Sequence, residues 1–269
     1  MNKISKGWNE PQKAKPRNEV ELDSWLKGYF WSSLESNGVT LTRNLHELRI
    51  RDLAVFAGGD IANKKILDCG CGDGMYGHAF LAAGASRYCG QDLSETAILR
   101  GLETASRLGL EFDLKVGNAT NLLFESNYFD IVFSGDFFEH IDKATKTEVI
   151  KEIYRVLKPG GVMIIKTPNL AYLRFVIFLK RFKLLMQFKS PFIYIAHTRN
   201  NPDCQHFGLT TYSELLEILD DTYFHSPKFL NIPLGRKIPN LIQKLVNKFT
   251  WGNETIILVA RKAVFVNFN

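Results

Sequence analysis

A chain of 269 residues is long enough for one large α/β domain with insertions and a substantial core. Hydrophobic residues at 45% and charged residues at 23% are ordinary for a globular protein and argue against a disordered or fibrous one. The net charge of +6 admits an acidic partner (nucleic acid, a phosphorylated substrate or an anionic membrane) without choosing among them, and four cysteines, two of them inside a single turn, offer no disulfide framework. A reduced, cytoplasmic setting is therefore expected.

Residues 1–18 read as a flexible tail, polar and rich in Lys, Asn and Pro, with no apolar stretch of signal-peptide length. The rest, 19–269, is expected to be a single domain. Residues 19–63 predict two helices: apolar side chains from Val20 to Leu34 recur near helical spacing, and a second run over 45–56 stops at Gly58-Gly59.

The run 65–67 predicts a buried strand, followed by Asp68-Cys69-Gly70-Cys71-Gly72-Asp73-Gly74 and a helical stretch over 75–83. Glycines at alternate positions let a backbone turn tightly and approach a ligand where a Cβ would collide. A strand, a glycine-rich turn and a helix make a nucleotide-type pocket, helped by the amides at the helix start. The next strand, 88–92, ends in Asp92, about twenty residues past the turn, where a carboxylate can take a ribose hydroxyl pair. The spacing is GxGxG, not the dinucleotide GxGxxG, and Asp68 inside the turn would repel a pyrophosphate. A ligand with a ribose, no phosphate and a positive charge fits better, as S-adenosylmethionine does.

Ser94 is a plausible N-cap for a helix running towards Gly109. Strands follow over 112–116, ending at Gly117-Asn118-Ala119, and over 128–134, ending at Ser134-Gly135-Asp136 with Phe137-Phe138-Glu139-His140 in the loop beyond. A helix over 143–157 stops at Lys158-Pro159-Gly160-Gly161 before a fifth strand, 162–166.

The ordered segments ILDCGCGDG (66–74), GQDLS (90–94), GNAT (117–120), FDIVFSGDFFEHI (129–141) and YRVLKPGGVMIIKTPN (154–169) resemble the successive motifs of class I S-adenosylmethionine-dependent methyltransferases, over about residues 64–169. The nearest likeness is to the ubiquinone-type and bacterial glycan O-methyltransferases. The resemblance implies a Rossmann-like seven-stranded, mostly parallel α/β sheet with helices on both faces. It also implies a donor site built from Asp68, Gly70, Cys71, Gly72, Gly74, Asp92, Leu93, Asn118, Ala119 and Ser134. Similar enzymes usually carry Asp where Asn118 stands; an amide carbonyl can accept the same adenine hydrogen bond.

Beyond 169 the chain leaves the shared motifs for two insertions, 170–208 and 233–252. The stretch 170–195 is apolar but broken by Arg174, Lys180, Arg181, Lys183 and Lys189, which rules out a membrane span. It reads as a basic amphipathic helix, either a lid over the active site or a surface resting on the inner face of a membrane. Thr211, with Glu214 three residues on, is expected to cap a helix over 212–219, and strands over 228–232 and 254–260 close the sheet.

A hydroxyl acceptor must lose a proton, and His140 is the best candidate base, with Glu139 orienting it. His206 and His197 are candidates for the substrate side. No metal site is expected, since Cys69 and Cys71 lack a second ligand pair. The expected acceptor is a small molecule, a glycan or a lipid-linked compound. A nucleic-acid substrate has only the positive charge in its favour: no Pro-Pro-aromatic amine-holding motif and no Pro-Cys nucleophile is present. A non-catalytic donor-binding scaffold is the third reading, and the oligomeric state is open.

Overall fold

The computed structural model describes residues 61–191, 206–220, 222–230 and 255–264. The expected tail and N-terminal helices up to residue 60, His197, and the insertion 233–252 lie outside these residues. Seven strands form one sheet in the order β3-β2-β1-β4-β5-β7-β6. They are β1 Lys65–Cys69, β2 Arg87–Asp92, β3 Phe112–Val116, β4 Phe129–Gly135, β5 Leu157–Pro168, β6 Phe224–Phe229 and β7 Thr255–Lys262. The first five run parallel, and β7 enters antiparallel between β5 and β6. Among the described residues the helices are α1 Gly77–Ala82, α2 Glu95–Arg107, α3 Lys143–Val156, α4 Leu170–Met186 and α5 Tyr212–Asp220.

The central strands are apolar on both faces because each face carries a core. Successive residues of a strand point to opposite sides. Leu67, Val132, Ile165 and Leu258 accordingly pack with α3 and α5 through Val149, Ile153, Leu215 and Ile218. Their chain neighbours Ile66, Ile131, Ile164 and Ile257 pack on the other side with Phe80 of α1 and Ile98 of α2. The local signals operate where expected. The Ser94 hydroxyl accepts from the Ala97 amide (3.3 Å), Asp142 caps α3 through the Thr145 amide (2.8 Å), and Thr211 and Glu214 cap α5 reciprocally (3.3 and 3.0 Å).

Several boundaries differ from expectation. β1 runs on to Cys69, so Asp68, expected inside the glycine turn, is a strand residue, because its backbone still pairs with Gly90 of β2 and Phe133 of β4. The helix after the glycine turn starts at Gly77, because the backbone stays in turn conformation through Gly74, where φ is +72°. β5 begins already at Leu157, paired with Phe129, and so contains the Lys158-Pro159-Gly160-Gly161 corner. β6 spans Phe224–Phe229, earlier than the expected 228–232. The helix α4 ends at Met186, short of 195, where the chain turns through Phe188 at φ +55°. No helix among the described residues is long and apolar enough to cross a membrane.

Candidate functional site

Parallel α/β sheets bind ligands beyond the carboxyl ends of their strands, and two clusters of side chains lie there, at the ends of the neighbouring strands β1 and β4. The first is the glycine turn after β1. The Gly70 and Cys71 amides both donate to the Gln91 carbonyl (2.9 and 3.2 Å), so the turn is anchored on β2. The Asp92 carboxylate accepts from the Gly72 amide (2.8 Å) and from the Ser94 amide (2.9 Å), tying the turn to the start of α2. A Cβ at Gly70 would run into the ring of Phe137 at 2.3 Å, whereas one at Gly72 would meet nothing within 4 Å. Gly70 is therefore a packing requirement, and Gly72 faces open space.

Asp68 is buried beneath this turn, only 1% exposed. The Tyr88 hydroxyl donates to its Oδ2 (2.8 Å), while its Oδ1 has no hydrogen-bond partner. Burial, with the Asp92 and Asp73 carboxylates adding to it, pushes the Asp68 pKa up to about 7. Burial raises that of Asp73 as well. Three crowded carboxylates around one turn repel a phosphate and favour a cation. An orphaned buried oxygen beside an open glycine face thus fits a ribonucleoside ligand bearing an ammonium and a sulfonium.

Around this turn, Leu93 is 73% exposed and Ala119 is buried. The Asn118 side-chain oxygen accepts from the Thr120 amide (3.0 Å), a local turn bond that still leaves it an acceptor lone pair. Two expected donor residues turn inward. The Cys71 sulfur lies beneath Gly90, and the buried Ser134 hydroxyl donates to the Cys69 carbonyl (2.8 Å), stitching β4 to β1. Gln91, absent from the expectation, is fully buried. Its amide donates to the Asn118 and Asn121 carbonyls (2.9 and 3.1 Å), and its oxygen accepts from the Leu123 amide (2.8 Å), folding the 117–123 loop over the sheet. No sequence signal marked it, because its partners are backbone groups.

The second cluster follows β4. Glu139 and His140 lie on a single 3-10 turn, Phe138–His140, and His206 is brought to them from a segment more than sixty residues later. One ligand-capable atom from each of the three lies within 4.8 Å of the other two, and the imidazole ring centres are 4.9 Å apart. The join is made by backbone: the Gly208 amide donates to the Glu139 carbonyl (2.8 Å), and the buried Lys146 ammonium donates to the Gly208 carbonyl. A Cβ on Gly208 would stand 1.9 Å from the Ile141 carbonyl oxygen, so only glycine allows this approach.

Glu139 is 2% exposed, accepts from the Thr167 hydroxyl (3.0 Å), and has its pKa pushed up to about 7, first by burial and then by the Asp136 carboxylate. Asp136, held at φ +55°, pairs with the Lys166 ammonium and accepts from the Tyr76 hydroxyl (3.3 Å). Tyr76, whose pKa burial raises, feels the charges of Asp136, Asp68 and Glu139, so it stands between the two clusters. Asp136 was expected only as part of the β4 end facing the donor, and Lys166, Tyr76 and Thr167 were not among the expected site residues. Their types are common and only the tertiary fold assembles them.

A mostly parallel seven-stranded sheet with an antiparallel β7 and a cation-favouring glycine turn at its centre defines a Rossmann-like methyltransferase fold. Residues 66–161 match the family described as a methyltransferase domain. In that segment the chain thus carries a methyltransferase domain, similar to those of S-adenosylmethionine-dependent enzymes. A ubiquinone biosynthesis O-methyltransferase of Pseudomonas aeruginosa is 31% identical over 140 residues, 52% of this chain and 58% of that protein. Phosphoethanolamine N-methyltransferase 3 of Arabidopsis thaliana is 32% identical over 123 residues, 44% of this chain and 24% of that protein. The chain spans between 24% and 58% of the length of the curated relatives it matches. Among solved structures, the PH0226 protein of Pyrococcus horikoshii OT3 superposes with a TM-score of 0.56 at 20% identity, over 83% of this chain and 94% of that one. The [4+2]-cyclase SpnF gives a TM-score of 0.55 at 18% identity, over 81% of each chain. At such identities the likeness is one of fold.

Proposed function

We propose that this protein transfers a methyl group from S-adenosylmethionine to a hydroxyl oxygen of a small-molecule, glycan or lipid-linked acceptor. The single observation that carries the reading is the placement of His140, Glu139 and His206 at the end of β4, one strand from the unpaired oxygen of Asp68. Asp68 holds the donor's ammonium, the open face of Gly72 lets the donor lie against backbone, and Asp92 takes the ribose hydroxyls. Leu93 and Ala119 flank the adenine, and Asn118 accepts from its amino group. When bound, the donor supplies an electrophilic methyl on a sulfonium; the protein supplies position and alignment.

His140 takes the acceptor's proton, an imidazole being suited to that near neutral pH. Glu139 orients it, and His206 lines the acceptor side. Likeness to ubiquinone biosynthesis O-methyltransferases supports an oxygen acceptor. The exposed side of α4 supports a peripheral contact with an anionic membrane, and so a lipid-linked or quinone-type acceptor. Phe178, Phe182 and Leu185 are each more than half exposed there, beside the exposed Arg174, Lys180, Arg181 and Lys183.

The test is methyl transfer from labelled donor to quinol, lipid-linked and sugar hydroxyls, with wild type and His140→Ala compared. The variant should lose roughly a hundredfold or more in turnover while donor affinity stays within about twofold, the range for loss of a general base. Reduced donor binding with unchanged turnover of the bound complex would remove His140 from the chemistry.

A further inference from the structure

We propose that Glu139, His140 and His206 together bind one first-row divalent cation of the zinc, manganese or iron(II) kind, on the acceptor side of the donor pocket. This runs against the sequence-based expectation of no metal, and it deepens the hydroxyl-acceptor reading, on which it rests for its chemistry. The donor set is two imidazole nitrogens and a carboxylate, all within 4.8 Å of one another. Bonds of about 2.0–2.2 Å to such ligands place the ligand atoms about 3.3 Å apart, so closure asks each side chain for a movement of roughly an ångström. Imidazole-rich sets select these ions over calcium and magnesium, which prefer all-oxygen shells. Three protein ligands leave coordination positions open, the arrangement of catalytic rather than structural sites.

The surroundings support an ion. Two separate chain segments are locked together just where the ligands converge, by the Gly208 amide on the Glu139 carbonyl and by Lys146 on the Gly208 carbonyl. The Thr167 hydroxyl holds one oxygen of Glu139 and leaves the other for the ion, the outer bond that orients ligating carboxylates. Lys166 is engaged by Asp136.

With an ion in place, His140 would ligate it instead of taking the proton itself, and the acceptor's hydroxyl would occupy an open position. Its proton is lost to solvent, as the acidity of ion-bound water and hydroxyls rises by many orders of magnitude. The oxygen then forms the bond to the methyl carbon, and the carbon–sulfur bond breaks with its electron pair going to sulfur.

The test uses the full chain, freed of metal by chelator dialysis and titrated calorimetrically with zinc and, separately, manganese ions. One ion per chain is expected, weakened at least tenfold in His206→Gln and His140→Gln and about 10–100-fold in Thr167→Val, the range for losing an outer-shell bond. Circular dichroism establishes that each variant is folded; should His206→Gln not fold, His206→Asn takes its place. No stoichiometric binding of either ion, or binding unaffected by the histidine variants, overturns the proposal. Full transferase activity in the chelator-treated protein overturns the catalytic part and leaves His140 as base. Stoichiometric binding with no transfer to any hydroxyl acceptor leaves the site standing and sinks the acceptor reading instead.

Discussion

On the proposed reading, Asp68 is the residue on which donor binding turns. An ordinary aspartate is ionised at neutral pH, but burial with Asp92 and Asp73 nearby lifts this one to about 7. Since the folded-state pKa lies above the unfolded value of about 3.9, the folded protein holds the proton more tightly. The stabilisation from that proton is complete below about pH 4 and is lost as pH rises towards 7. A cationic donor prefers the ionised form, so its binding releases the proton. Donor affinity is therefore expected to rise with pH up to about 7 and then level off, and the donor's upward shift of the thermal midpoint should be larger at pH 8 than at pH 5.5. In Asp68→Asn both pH dependences should flatten and affinity should fall. Calorimetry in buffers of different ionisation enthalpy reads the released proton directly; an unaltered pH profile in Asp68→Asn would assign the proton elsewhere.

At the scale of elements, the contact that matters is the crossing of the Phe138–His140 turn by the segment before α5. Neither piece is regular structure of any length, and the approach depends on Gly208, where an added Cβ would meet the Ile141 carbonyl oxygen at 1.9 Å. Backbone on both sides cannot yield cheaply. Gly208→Ala is expected to cost about 1–3 kcal/mol, the usual range for overpacking, and to move His206 away from His140. Its thermal midpoint should fall by several degrees, and turnover should fall much more than donor affinity, because the glycine turn after β1 is untouched. Equal losses in both would mean that the two clusters are less independent than their separate anchoring implies. The caps Ser94, Asp142 and Thr211 need no such crossing; each works within its own turn.

Among the described residues, the sheet carries a core on each face, while α4 buries Leu170 alone and carries exposed Phe178, Leu179, Phe182, Leu185 and Met186. A lid would bury Phe178 and Phe182, 63% and 55% exposed here, only by moving α4 onto the donor pocket. Against anionic lipid each of the exposed cations Arg174, Lys180, Arg181 and Lys183 would add about 1 kcal/mol, decaying within a Debye length. Co-sedimentation with anionic vesicles at low salt is expected, weakened at high salt and abolished when those four are replaced by Gln. Failure to bind at low salt would shift the acceptor towards a soluble hydroxyl compound.

Much of the donor half was legible from residue order alone. Its signals are local: an apolar strand, a glycine turn, a carboxylate at the end of the next strand and cap residues at the helix starts all act within a few positions. Period and spacing therefore placed β1 to β4, α2 and α3 along the chain to within a residue or two at most ends. His140 and His206 could be named as candidates, but not their meeting, which depends on a glycine contact between segments more than sixty residues apart. Lys166, Tyr76, Thr167 and Gln91 stayed hidden because what distinguishes them is burial and partners, properties that no side chain carries by itself. Ser134 shows the converse: its place at a strand end suggested a ligand contact, and packing turned its hydroxyl onto the Cys69 carbonyl. Local chemistry determined the elements and the glycine turn, whereas the long-range closure of the chain decided which titratable groups share a low-dielectric site.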